Sequence, residues 1–376
     1  MRHRPIVAAA LFTGAAIFAA HSSRAANVQF TGAVSTDFTV AGNWSDNQPP
    51  TADGDIHIIE NGLTSNLTSS ATINGVIVGD AGVGSLNING GVLNVNVAGG
   101  FPQGFSIGGH TANHTGVGVV NLTNNATVNM AVAGGSPDSG FVGERADGTL
   151  NIGPGSTFNA PGVVWRVGQF GGIFFPDPIA YDADGIMNVQ GTFNSRQIYL
   201  GVQGGNGEIT VSGNGAITLT GQLHESIETF RNTRSAIVRM VGSNATFMAD
   251  DIIANTAAGE VRNQFIFVAD AGGVSELTAA DALLFNNAAV NVDLAAFAPM
   301  TPGQQLRLFD AAPGQLANGH VFGPLTVTGG AGSPSDYFLV LDDDPTGDVF
   351  LQYLPEPSSA MVLLGLGFAA TARRRR

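Results

Sequence analysis

The densest group of ionisable side chains runs from His224 through Glu225 and Glu228 to Arg231 and Arg234. Leu223, Ile227 and Phe230 are spaced four and three apart, which predicts a short amphipathic helix carrying His224 and Glu228 on one side. Such a pair could act as a general base or as half of a metal site, but the sequence locates no further ligands, and a small helix or lid on the side of the molecule is the favoured reading. Asp182 and Asp184, and the run Asp342 to Asp348, place hard oxygen ligands at alternating positions and could bind calcium. The twelve-residue loop ending in a bidentate Glu is absent, and Asp-Gly turns are ordinary hairpin chemistry.

Glycoside hydrolysis needs two carboxylates facing each other across ~5 to 9 Å. Between residues 76 and 219 the acidic residues are Asp80, Asp138, Glu144, Asp147, Asp177, Asp182, Asp184 and Glu208, nearly all beside Gly or Pro in expected turns. A lyase needs a base to take a proton and a cation to neutralise the substrate carboxylate. With no Lys anywhere, only Arg145, Arg166, Arg196 and His110 or His114 are nearby, and each alone reads as a solvated surface residue. The chain also has no Cys, which removes disulfides, thiolate metal sites and a cysteine nucleophile. Residues 27 to 372 hold eight Arg against all 29 acidic residues, a net charge of −21, so no nucleic acid is expected as partner. The glycines precede expected strands and have no helix behind them, which leaves no nucleotide-binding loop.

These residues sit on a degenerate three-part repeat. An apolar pair ending in Gly recurs at Val78-Gly79, Ile107-Gly108, Val142-Gly143, Val167-Gly168 and Leu200-Gly201. After each comes an apolar-polar-apolar triplet such as Leu86-Asn87-Ile88, Val120-Asn121-Leu122 or Leu150-Asn151-Ile152. A second triplet follows a short turn, as in Leu93-Asn94-Val95 and Val128-Asn129-Met130, and Asn holds the polar centre of eight of the ten triplets. Alternation of period two makes each triplet a short strand, too short to bury its apolar side alone. Stacked copies pair like with like around one interior, which predicts an all-β, right-handed parallel β-helix of about ten coils, each adding ~4.8 Å. A β-sandwich or jelly roll is the alternative, but neither predicts a recurring Gly. The Asn could form a ligand-binding ladder; amides bonded to one another along the coil are the favoured reading. Phe outnumbers Tyr 23 to 4, which points to stacking inside the coil.

The expected organisation is a signal peptide over 1–26, an N-terminal cap over 27–75, solenoid repeats over 76–264, a C-terminal β region over 265–354 and a sorting tail over 355–376. In the cap, Asn43-Trp44-Ser45, Pro49-Pro50 and the strand-like Asp55 to Ile59 are similar to the first coil of exported β-helix proteins. Longer strands are expected at Phe265–Val268, Ala289–Leu294, Gln305–Phe309, Leu325–Val327, Tyr337–Leu341 and Val349–Tyr353. This arrangement resembles autotransporter-passenger-like β-helix proteins, which implies final coils running into antiparallel closing strands.

Arg2 and Arg4 precede an apolar run from Ile6 to Ala20, and small residues at Ser23 and Ala25 suit cleavage after Ala25, the layout of a secretory signal peptide. At the other end Pro355-Glu356-Pro357 leads into the apolar segment Ala360 to Ala372 and four closing arginines. The segment can enter a membrane as a slightly short helix, with the arginines held on the cytoplasmic side. These elements resemble the PEP-CTERM sorting signal. The resemblance implies transient membrane insertion, processing near Pro355, Glu356 and Pro357 by an exosortase-type enzyme, and delivery to the cell surface or extracellular matrix; a permanent anchor is the alternative. The expectation is a non-catalytic structural or adhesive protein, with no cofactor required, whose partners are extracellular polysaccharide or neighbouring surface proteins. A polysaccharide lyase or glycoside hydrolase on the same scaffold is the rival.

Overall fold

The computed structural model describes residues 27–52, 54–97, 104–109, 115–132, 138–169, 183–202, 205–225, 235–255, 263–312, 321–342 and 347–354. Within these residues 26 strands join into one continuous sheet, and almost every pairing is parallel. The pairings sort into three stacks that run the length of the molecule, one for each part of the sequence repeat.

The first stack holds the apolar-Gly elements: Gly75–Val78 pairs with Phe105–Ile107, which pairs with Asp138–Val142, and so on toward the C-terminus. The second holds the first triplets. It begins at Leu63–Leu67, and nine successive parallel pairings link ten strands, the last being the end of Val321–Thr328. The third holds the second triplets, from Ser70–Ile73 onward. Register keeps equivalent residues together: Leu86 lies beside Val120, Val120 beside Leu150, and Asn87, Asn121 and Asn151 follow in one line.

The recurring Gly occupies the corner between the first and second stacks. Gly79, Gly108, Gly143, Gly168 and Gly201 all have φ between 65° and 79°, left-handed backbone that a side chain disfavours. At the first four a Cβ would also strike backbone of the next coil, for example the carbonyl of Val117 at Gly79. At these five positions the backbone turn demands Gly, and at the first four close approach of the next coil adds to the demand.

Apolar residues of all three stacks meet inside as one cluster extending from Val28 to Tyr353. Aromatic rings stack within it as expected, with Phe158 and Phe193 in register and 5.7 Å apart, and Trp165 edge-on to both. Complete burial of each such side chain contributes roughly 1.5–3 kcal/mol. At the N-terminal end Trp44 plugs the coil, edge-on to Phe30 and Phe38 at 5.1 and 5.2 Å, and donates its indole N–H to the Phe38 carbonyl at 2.8 Å. An open solenoid end would leave a sheet edge and the core exposed.

Parallel coils extend on both sides of the segment where the repeat is readable. Ile56–Ile59, Leu63–Leu67 and Ser70–Ile73 already make a three-sided coil, and Asn263–Val268, Leu277–Asp293 and Val321–Thr328 continue the stacks. The longer strands there arise because one strand passes through a corner: Leu277–Asp293 pairs within all three stacks, with register shifts where it bends. Among the named strands, antiparallel pairing is confined to the C-terminal end, where Asp348–Tyr353 lies between Gln305–Ala311 and Tyr337–Asp342; isolated antiparallel bridges join Phe30 to Trp44 and Asp270 to Gly273.

Candidate functional site

On the second stack the triplets centred on Asn87, Asn121, Asn151 and Asn188 turn their two apolar residues inward and their Asn outward, half-buried between neighbouring coils. Parallel register puts identical amides one coil apart, so each can bond to the next. Asn87 donates to Asn66 at 3.0 Å, Asn121 to Asn87 at 2.8 Å, Asn151 to Asn121 at 2.7 Å and Asn188 to Asn151 at 2.8 Å. Every one of these bonds uses Nδ2 as donor and the preceding Oδ1 as acceptor, so the ladder has a single direction. A parallel ladder runs along the third stack, with Asn129 donating to Asn94 at 3.0 Å, Asn159 to Asn129 at 3.2 Å and Asn194 to Asn159 at 2.8 Å.

The N-terminal cap extends the first ladder. Asn43 is fully buried and ties its loop together: its Oδ1 accepts from the Val34 and Ser35 amides at 3.0 and 2.7 Å, and its Nδ2 donates to Ser35 Oγ and the Asp37 carbonyl at 2.9 and 2.7 Å. The loop thereby lays Thr36 and Asp37 alongside Asn66, with main-chain bonds from Asn66 to Thr36 and from Phe38 to Asn66. Thr36 Oγ1 accepts the Asn66 amide at 2.9 Å and becomes the first rung. Between the loop and the outer row of Thr68, Asn89 and Thr123 opens a groove of about 750 Å³ whose floor is the ladder.

Among the described residues, the charged side chains singled out in the sequence form no single site. Gln222–Glu225 is a strand of the first stack, paired with Ile198–Leu200 on one side and Ile252–Ala254 on the other, so the predicted helix is corrected at its start. Three apolar residues at helical spacing are a short signal, and parallel pairing on both sides overrides it. As neighbours in a strand, His224 and Glu225 point to opposite faces. His224 stacks outside against Tyr199 at 5.9 Å, and burial lowers its pKa below the usual histidine value. Glu225 points into the core, fully buried, with neither carboxyl oxygen bonded among the described residues, and desolvation raises its pKa well above the usual carboxylate value. Glu228, Asp182, His110 and His114 lie outside the described residues.

Arg166 lies between Phe141 and Tyr199, with its guanidinium carbon 5.9 and 6.0 Å from the two rings. Asp184 caps a corner: its amide donates to Asp147 Oδ1 at 3.1 Å and its own Oδ1 accepts from Asn206 at 2.7 Å. Asp342 and Asp348 face each other across the closing antiparallel pair; residues 343–346 lie outside the described set. Asp348 is buried and shares Arg307 Nη1 with Asp310, each at 3.5 Å, while Glu276 takes Nε and Nη2 of the same Arg at 2.7 and 3.0 Å. Asp310 is raised above the usual carboxylate value, first by desolvation, with Arg307 opposing and Glu276 and Asp348 adding to the rise. Among the described residues no group of three or more His, Asp or Glu is placed to hold a metal ion.

Sequence reasoning missed two features. Glu225 falls 25 residues after Leu200, at the lower limit of the repeat interval, and that spacing places it where the preceding coils carry an inward apolar residue. The wall formed by Thr36 and Asp37 belongs to a loop outside the repeat, and no periodic signal marks it.

Ala25 and Pro355, Glu356 and Pro357 lie outside the described residues, and among the described ones no helix is long and apolar enough to cross a membrane. Residues 354–376 match the PEP-CTERM protein-sorting motif. That match implies an exported protein sorted through an exosortase and directed by its C-terminus toward the cell surface. No curated protein and no solved structure matches the chain.

Proposed function

We propose that this exported chain is a non-catalytic structural and adhesive component of the cell surface or extracellular matrix. Its signal peptide is removed after Ala25, and its tail inserts transiently in the membrane before processing near Pro355, Glu356 and Pro357. The observation that carries this reading is the continuous outward amide ladder on a rigid coil. Amides are neutral, do not titrate near pH 7, and offer hydrogen bonds without supplying a nucleophile or a proton-transfer group. Such a surface suits adhesion to polysaccharide or to neighbouring surface proteins, and it requires no cofactor.

A glycan array probed with the full-length chain in detergent, with added calcium and with chelator, tests the reading when binding and release of sugar products are followed in the same samples. Binding without product, equal in both conditions, is expected. Release of shortened glycans would overturn the non-catalytic reading, and loss of binding in chelator would add a metal to it.

A further inference from the structure

Each amide in the ladder has bonds to spare. An Asn side chain offers two N–H donors and two acceptor lone pairs. Asn87 spends one donor on Asn66 and one lone pair on Asn121, and Asn121 spends one of each on Asn87 and Asn151. Every interior rung therefore keeps one donor and one acceptor, held at a fixed angle by the bonds above and below it. The same unsatisfied pair recurs once per coil, at the ~4.8 Å spacing of neighbouring strands. A hydroxyl is both donor and acceptor, so a row of hydroxyls complements this row rung by rung.

The groove wall selects among hydroxyl-bearing polymers. Its one charged lining residue is Asp37, and the remaining lining residues are Asn, Thr and Ser. Asp37 Oδ1 accepts from the Thr39 amide and hydroxyl, both at 2.8 Å, while Oδ2 has no bond among the described residues. A carboxylate oxygen at one end of the groove accepts a hydroxyl and repels a uronate or sulfate, and no cation among the lining residues offsets that repulsion. Because the amides are already immobilised by the ladder, little side-chain entropy is lost when a ligand is bound.

We infer that this groove, floored by Asn66, Asn87 and Asn121 and closed at one end by Asp37, binds a neutral polysaccharide in extended form laid along the coil axis. The inference rests on the adhesive reading above and names its ligand class. The strands Asn87 and Asn121 belong to would then be the reading frame, one sugar unit per coil.

The test is calorimetric titration of the full-length chain in detergent with cellohexaose and with hexagalacturonate, an α-1,4-linked anionic oligomer with the same number of sugar units. The chain should bind cellohexaose and bind hexagalacturonate at least tenfold more weakly. The double variant Thr68→Leu and Thr123→Leu changes exposed wall positions outside the ladder, and should weaken cellohexaose binding at least tenfold with the circular dichroism melt unchanged. Asn291→Ala, in the same stack but outside both the amide ladder and the groove, should leave binding within twofold. Undiminished binding in the wall variant, or preference for the uronate, would overturn the groove assignment while leaving adhesion intact. Failure of the chain to bind any array glycan would remove the adhesive reading itself. Concentration-dependent self-association abolished by the wall variant would instead assign the groove to a second copy of the chain.

Discussion

The coils before Thr210 and those after it share one backbone path but differ in what they place outside. Through Asn188 the central row of the second stack is an unbroken line of amides. Beyond it the same register positions are Thr210, Arg239, Ile266 and Asn291, and the bonds become an ion pair between Arg239 and Glu208 at 3.3 Å and a lone amide contact from Asn291 to Gln264 at 3.3 Å. A second row changes at the same place. Gly84, Gly118, Gly148, Gly185 and Gly207 stand in register, and the next two positions are Ala236 and Asn263. At Gly148 a Cβ would collide with the Ile107 carbonyl and the Gly143 amide, whereas at the Gly201 corner the nearest approach is a looser 3.1 Å to Ala236 and Ser235. In the first half the same residue types recur coil after coil, so parallel register brings one amide within reach of the next.

The sharpest way to break this contrast is at the corner. Gly148→Ala should cost about 3 kcal/mol or more, because backbone on two sides must move. Ala236→Gly, the mirror change in the looser half, should cost about 1 kcal/mol or less. Urea unfolding of both variants checks the pair, and equal effects would mean that the glycine row is not sterically required.

Glu225 marks the transition between the halves, an inward carboxyl where Leu200 and Ala254 flank it in register. Its folded pKa is raised, so the folded chain keeps the proton while the unfolded chain releases it above the ordinary value of 4.5. Stability is therefore full below that value and declines as pH rises toward the folded pKa. Glu225→Leu should raise stability at pH 7 by about 1–3 kcal/mol and flatten this decline. Melting temperatures measured from pH 4 to pH 8 on both proteins decide it; a variant that keeps the wild-type slope would place the titration elsewhere.

A smaller effect is expected within the ladders. Asn151→Leu removes two rung bonds and should cost about 1–2 kcal/mol, while Asn291→Leu, which loses a single long contact, should cost about 0.5 kcal/mol. Similar costs in denaturant titration would show that continuity of the ladder adds nothing to its individual bonds.

Much of this architecture was legible because the repeat is carried by residue types with a single structural use. Period-two triplets fix strand direction and face, and the Gly after Val78, Ile107 and Val142 fixes a corner that only left-handed backbone can turn. The interior stacking of Phe and the bonding of Asn to Asn followed from the same register. What was not legible lies where register comes from tertiary contact. Leu223, Ile227 and Phe230 carry a helical spacing, yet pairing with Ile198 and Ile252 on either side makes Leu223 and its neighbours a strand. The groove wall was hidden for a related reason: Thr36 becomes a rung only because Asn43, seven residues later, folds the loop back.

The closing sheet also determines how the molecule meets mechanical force. The sorting motif begins at Leu354, directly after Asp348–Tyr353, and that strand is clamped on both edges, through six register positions with Tyr337–Asp342 and four with Gln305–Ala311. A tension applied through the tail along this strand loads both ladders in shear, so their hydrogen bonds must yield together, whereas an edge strand would peel away one bond at a time. Leu354 adds its own bond to the Asp336 carbonyl at 2.8 Å, and Tyr353 accepts one from Gly303 at 2.8 Å. A load that enters at Leu354 is thus spread across the closing sheet before it reaches the coils.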